Sequence, residues 1–141
     1  MKIVVSCDST CDLGDELISK NDIRIMPLVI YLGEDQFSDN VDVTTKDIFA
    51  YVDKTGVLPK TAARSIYEYQ EFFANILKDA DAIIHVAFSS EMSSSCSNAQ
   101  VAAEQFDNVK VVDSKSLSTG YGLLVLKAYK LVSLGKSHDE I

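Results

Sequence analysis

The sequence predicts an α/β domain built on a mainly parallel sheet of about four strands flanked by helices. Short β-branched or apolar runs at residues 3–5, 82–88 and 109–112 alternate with stretches of helical period. Alternating strands and helices imply parallel pairing through crossover helices. The runs are nearly continuous in apolar character, the pattern of strands buried on both faces. Polar clusters close them: Asp8-Ser9-Thr10, the serines from Ser89 to Ser95, and Asp113-Ser114. In such sheets ligands sit beyond the carboxyl ends of the strands.

Ile3, Val4 and Val5 open the first strand, and Asp8 to Thr10 break it. A helix is expected over about residues 13–21. Residues 23–32 (IRIMPLVIYL) read as a second strand, in which Pro27 demands an edge, a bulge or a break. Residues 33–43, polar and acidic, read as a loop. Thr44 or Thr45 caps a helix running to about Lys54. Gly56 and Pro59 mark 55-TGVLPKTAARS-65 as an irregular crossing segment. Ser65, with Glu68 three residues later, has the form of a capping box. The helix behind it turns Phe72, Phe73, Ile76 and Leu77 to one face. Residues 82–88 form the third strand, 93–106 a helix and 109–112 the fourth strand. Tyr121, Leu124, Val125, Ala128, Leu131 and Val132 stripe a long helix that Gly135 ends. Residues 137–141 read as the start of another helix, so the sequence is expected to continue beyond them.

The 141 residues, 47% of them hydrophobic, suit one domain with a filled core. A net charge of −8 argues against nucleic acid as a partner. It also disfavours docking on an anionic membrane surface. No apolar run approaches the roughly 18 residues that span a bilayer, so no stable membrane insertion is expected. The N-terminal MKIVVSCDSTCD lacks a secretory pattern. Cys7, Cys11 and Cys96, an odd and sparse set, suit reduced thiols. The expected location is therefore the cytoplasm.

The serines preceding the helix at residue 93 admit two readings. One of them caps the helix and the others are solvated loop, or they hold a ligand. The first N–H groups of a helix are unpaired and carry partial positive charge, so with added hydroxyls they suit a small anion. A phosphate or nucleotide has weaker support: there is no GxxxxGK[ST], no GxGxxG follows the first strand, and Gly120-Tyr121-Gly122 is too short to be specific. A small α/β enzyme or nucleotide/phosphate binder using the Ser93 helix start stays as the alternative. There is no GxSxG elbow. His85 lies within a strand and reads as a satisfied or half-buried core histidine, and His138 as an exposed one. Cys7, Cys11 and Cys96 lack zinc spacing, and the carboxylates of residues 34–42 lack the calcium-loop spacing. No metal, cofactor or catalytic residue is expected. Thr61 is the last candidate, on a crossing that brings its hydroxyl over the sheet end.

Taken in order, DSTCDL (8–13), Pro27-Leu28, PKT (59–61), SSEMSSS (89–95), Asp113-Ser114, STGYG (118–122) and LGKSHDE (134–140) resemble the DegV family of bacterial fatty-acid-binding proteins. The resemblance covers essentially the whole chain. It implies a two-domain protein of which this chain is the N-terminal, lipid-binding domain and the C-terminal domain is missing. It implies a carrier that binds a long-chain fatty acid and presents the carboxylate to a separate ATP-dependent kinase subunit. That subunit makes the acyl phosphate for phospholipid metabolism, and the carrier does no chemistry. By the same resemblance Thr61 and Ser93 contact the carboxylate, with Ser94 and Ser95 beside them and Ser9, Ser89, Ser90 and Ser114 as accessory positions. Ala62-Ala63-Arg64-Ser65 stands where the family usually has serine-glutamine-proline-serine. Ser93-Ser94-Ser95 stands where serine-glycine-threonine is usual, and Cys96 where tyrosine is common. At about 0.8 kcal/mol per methylene, a long acyl chain offers roughly 10 kcal/mol gross. The tail is expected among Phe72, Phe73, Ile76, Leu77 and the apolar stripe of the last helix.

Overall fold

The structure is a computed structural model and describes residues 1–141. Along the chain run β1 (Ile3–Asp8), α1 (Asp15–Lys20), β2 (Arg24–Met26), β3 (Val29–Leu32), β4 (Asp35–Ser38), α2 (Thr45–Thr55), β5 (Lys60–Ala62), α3 (Ile66–Ile76), β6 (Ala82–Ala87), α4 (Ser95–Ala103), β7 (Val109–Asp113) and α5 (Ser118–Ser133). Four parallel strands form the main sheet in the order β2-β1-β6-β7. Successive side chains of a strand point to opposite faces, and the core divides accordingly. On one face Val5, Cys7, Ile84 and Val86 meet Tyr121 and Val125 of α5. On the other, Val4 and Ile83 meet Tyr69, Phe73 and Ile76 of α3 and the small Ala99 and Ala102 of α4. No helix is long and apolar enough to cross a membrane.

The expected single strand over residues 23–32 is two strands in two sheets. Pro27 cannot donate to a ladder, and the chain leaves the main sheet there. β3 then centres a second, antiparallel sheet of order β4-β3-β5. Two segments read as irregular supply its edges: residues 33–43 contain β4, and residues 55–65 contain β5. Gly33, at φ +69°, turns the chain between β3 and β4. β5 pairs with a strand about thirty residues earlier (Val29 opposite Ala62), and its own three residues carry no periodic signal.

The capping signals hold in detail. Ser65 Oγ accepts from the Glu68 N–H at 3.3 Å, while Glu68 Oε2 accepts from the Ser65 N–H at 2.7 Å. Thr44 and Asp47 make the same reciprocal pair at the start of α2. Gly135, at φ +75°, follows α5. Residues 138–140 form a turn, with the Ser137 N–H bonded to Glu140 Oε2 at 3.0 Å. His138 is half-buried there instead of exposed, its Nε2 2.9 Å from the Ile83 carbonyl oxygen.

A polar knot lies inside the sheet. Asp8, Tyr69, His85 and Tyr121 are all 0% exposed. Asp8 Oδ1 accepts from the Tyr69 hydroxyl at 2.5 Å, and Oδ2 from the Phe88 N–H at 3.1 Å. The Tyr121 hydroxyl accepts from the Asp8 N–H at 2.9 Å and donates to the Val86 carbonyl. Burial first, and the Asp8 carboxylate second, push both phenols far above their usual range, so they remain protonated donors. His85 is wholly buried instead of half-buried. Its Nδ1 lies 2.9 Å from Ser6 Oγ, and its Nε2 has no hydrogen-bond partner.

Tyr121→Phe removes the hydroxyl that joins β1 to β6 and leaves buried backbone groups short of a partner. It is expected to lower the unfolding free energy by about 1–3 kcal/mol. Urea unfolding checks this, and an unchanged midpoint would show that the phenol is not a tie.

Candidate functional site

The site begins where β1 and β6 stop. β1 runs into a 3-10 turn (Ser9–Cys11), and β6 runs into the loop of residues 88–94. Each is held by its own side chains. Ser9 Oγ accepts from the Leu28 N–H at 3.1 Å, fixing the first turn to the start of β3. Ser89 Oγ accepts from the Glu91 N–H at 3.2 Å, and the Ser89 carbonyl takes the N–H groups of Met92 and Ser93. Across from them Ser114 Oγ pairs with the backbone of Ser116. The Ser90 N–H donates to Asp113 Oδ1 at 3.1 Å, and Ser90 Oγ accepts from Lys115 Nζ at 2.8 Å.

Between these loops and β5 is a cavity of about 410 Å³. Thr10, Thr61, Ser93 and Ser94 bring hydroxyl-bearing side chains to its wall, and Leu28, Phe88, Met92 and Leu117 bring apolar ones. No charged side chain lines it. Thr61 reaches it from the middle of β5, opposite Ile30 of β3. Ser93 is half-buried. Its Oγ accepts from the Ser95 N–H at 3.1 Å and lies 3.1 Å from Ser95 Oγ. Ser94 is the N-cap of α4 and makes no side-chain cap bond, so the expected serine cap does not form; Ser93 bonds the first N–H of α4 while bordering the cavity.

The structure brings Thr61, Ser93 and Ser94 together and sets Ser95 behind them, wholly buried. Ser9, Ser89, Ser90 and Ser114 shape the loops and stand outside the cavity wall. The expected tail lining is not where the sequence placed it. Phe73 and Ile76 of α3 are plain core on one face of the main sheet, and α5 covers the other. Leu124 and Leu131 border a separate groove beside β7. Helical periodicity identified Phe73, Ile76, Tyr121, Val125 and Ala128 as buried without saying against what, and it misplaced Leu124, which is 39% exposed. Leu28, Phe88, Met92 and Leu117, which do line the cavity, sit singly in loops and at strand ends with no period to mark them. Thr10 was marked only as part of the polar cluster that closes β1. Its Oγ1 is buried and has no partner, yet in sequence it is one of three polar residues in a row.

A family model described as "Uncharacterised protein, DegV family" matches residues 2–141. A DegV domain-containing protein of Clostridium acetobutylicum is 36% identical over 142 residues, which cover 99% of this chain and 51% of that protein. A fatty-acid-binding DegV family protein from Thermus thermophilus has a TM-score of 0.88 at 30% identity, covering 97% of this chain and 49% of that one. DegV from Bacillus subtilis, a fatty acid binding protein, gives 0.88 at 29% identity, over 96% of this chain and 49% of that one. The chain spans about half the length of the curated relatives it matches.

Asp113 ties the serine loop to the end of β7, and its acidity reports that tie. Burial would raise its pKa, but the hydrogen bonds from Ser90 and Lys115 outweigh burial and hold the carboxyl well below the usual carboxylate range. A folded-state value below the unfolded one contributes stability above the unfolded pKa and loses it as pH falls. The unaltered chain is therefore expected to exceed Asp113→Asn in stability at neutral pH, with the advantage shrinking below about pH 4. Urea midpoints of both proteins from pH 7 to pH 3 measure it, and a gap constant over that range would deny the carboxylate this role.

Proposed function

The chain belongs to the DegV family, and on that premise we propose that it is a carrier that holds a long-chain fatty acid with the carboxylate against Thr61 and Ser93. The observation that supports this is a single cavity with hydroxyls on one part of its wall and Leu28, Phe88, Met92 and Leu117 on the rest. Such a lining suits an amphiphile. Its hydroxyls orient the head, and burial of methylenes, at about 0.8 kcal/mol each, supplies most of the affinity. Its volume falls within the range of small-molecule pockets, about 300–1,000 Å³. A phosphate or nucleotide would bring at least as much negative charge to a wall without a cation, an expensive arrangement when desolvated.

The carrier performs no chemistry. His85, wholly enclosed in the main sheet, is no base for a cavity serine, and an unactivated hydroxyl is a weak nucleophile. The chain is taken as the N-terminal half of a two-domain protein whose second half completes the pocket, in keeping with its share of its relatives' length. The reaction partner is a separate ATP-dependent kinase subunit that receives the presented carboxylate and makes the acyl phosphate. That last step rests on the sequence resemblance.

Protein purified from bacterial cells is expected to release fatty acid into organic solvent, as read by mass spectrometry. Delipidated protein is expected to melt lower and to recover on adding palmitate or oleate. Protein that extracts clean, with a melting temperature that neither lipid moves, overturns the reading. Ser93→Ala is expected to weaken palmitate binding by about 1–3 kcal/mol while changing methyl palmitate little. Equal loss for both ligands would leave Ser93 as a support of the helix start alone.

A further inference from the structure

Thr61 stands on β5 and Ser93 in the loop that leads into α4, and no ladder joins the two. β5 pairs with β3, whereas α4 packs on α3, β6 and β7. A three-residue edge strand is also a weak support for a ligand contact. Something must fix one hydroxyl relative to the other.

The geometry points to Arg64, and we infer that it is the positioning residue that sets Thr61 against Ser93, so that head-group selectivity depends on a side chain outside the cavity. The inference rests on the fatty-acid reading above. Arg64 lies just past β5, and its side chain is 11% exposed. Its guanidinium donates in three directions: Nε to the Pro27 carbonyl at 2.6 Å, Nη1 to Glu68 Oε1 at 2.8 Å, and Nη2 to Ser38 Oγ at 2.6 Å. These acceptors belong to the break between β2 and β3, the first turn of α3, and the end of β4. Its own carbonyl accepts from Asn98 Nδ2, on the first turn of α4, at 2.7 Å. The side chain thus fixes the end of β5, which carries Thr61, to β4, the β2–β3 break and α3, and so sets where the Arg64 backbone carbonyl meets Asn98 of α4, the helix that follows Ser93. Glu68 divides its carboxylate between Arg64 and the Ser65 cap, so the clasp and the start of α3 are one unit. Glu68 also balances the guanidinium charge, which makes the effect one of geometry, with no direct pull on the ligand. Only arginine presents a planar fork of donors at fixed angles; a lysine ammonium cannot span the same three acceptors.

The test titrates the full chain and its Arg64→Met, Arg64→Lys and Ser38→Ala variants with palmitate and with methyl palmitate, and records each ligand-free melting temperature. The unaltered chain is expected to prefer palmitate. Arg64→Met and Arg64→Lys are expected to reduce that preference about fivefold to tenfold through loss of palmitate affinity alone, and Ser38→Ala to reduce it less. A preference unchanged in all variants, whatever happens to melting, overturns the role of Arg64 and leaves the fatty-acid reading standing. An unaltered chain that takes neither ligand overturns both. If Arg64→Met fails to fold, Ser38→Ala decides, because Ser38 lies outside the cavity and bonds Arg64 through a hydroxyl that alanine lacks.

Discussion

A carboxylate taken out of water has to be fully hydrogen-bonded, and Asp8 meets that demand at the carboxyl end of β1. It takes the hydroxyl of Tyr69 from α3 and the N–H of Phe88 from the end of β6, while its own N–H is held by Tyr121 of α5. One residue therefore gathers a helix from each face of the main sheet and the end of the neighbouring strand. The 3-10 turn after β1 and the serine loop after β6 start from that fixed point, and the cavity is the space left between them and β5. An error of one residue in the β1–β6 register would turn Asp8 to the other face and carry both loops with it.

The wall of the cavity shows what such a scaffold leaves available. The charged groups nearby are already committed: Asp113 and Lys115 to each other and Ser90, Arg64 to Glu68, Ser38 and Pro27. Only hydroxyls, methyls and one aromatic ring reach the interior surface. Hydroxyls are less costly to desolvate than ions and both donate and accept, so the wall can meet a carboxylate without a permanent charge of its own. For the proposed carrier this has a kinetic consequence. A head group held without an ion pair is released more readily than one locked to a buried cation, and a carrier must hand its cargo on.

Much of this architecture was written in local sequence. The buried strands at residues 3–5, 82–88 and 109–112 show as apolar runs, and Ser65 with Glu68 marks a helix start that forms as its residue types require. What stayed hidden depends on partners remote in sequence. β4 and β5 are polar and short, and they become strands only because Val29 to Leu32 lie between them. His85 could be placed in a strand but not in a knot with Ser6, 79 residues away. The helix start at Ser93 and the crossing at Thr61 marked both as candidates, and the family resemblance joined them in one role. Their apolar companions come from four separate segments and have no period to betray them. Arg64, read at first as a departure from the pattern beside Thr61, has its meaning in three acceptors that only the folded chain brings within reach.

The apolar part of the wall also limits how much of a tail the chain covers. Met92 is 60% exposed and Leu117 39%, although both border the cavity. A tail lying along them would exchange only part of its surface from water to protein. Burial energy scales with the area removed from water, so a tail left half in solvent gains roughly half of what a closed pocket gives. The hydroxyl-bearing side chains stand on the wall, while Met92 and Leu117 lie open to solvent. A second domain seated over Met92 and Leu117 would therefore add most of its effect to the tail and little to the head. For the proposed carrier, acyl-chain preference would then be set mostly by whatever covers Met92 and Leu117, and recognition of a carboxylate by the hydroxyls of Thr61 and Ser93.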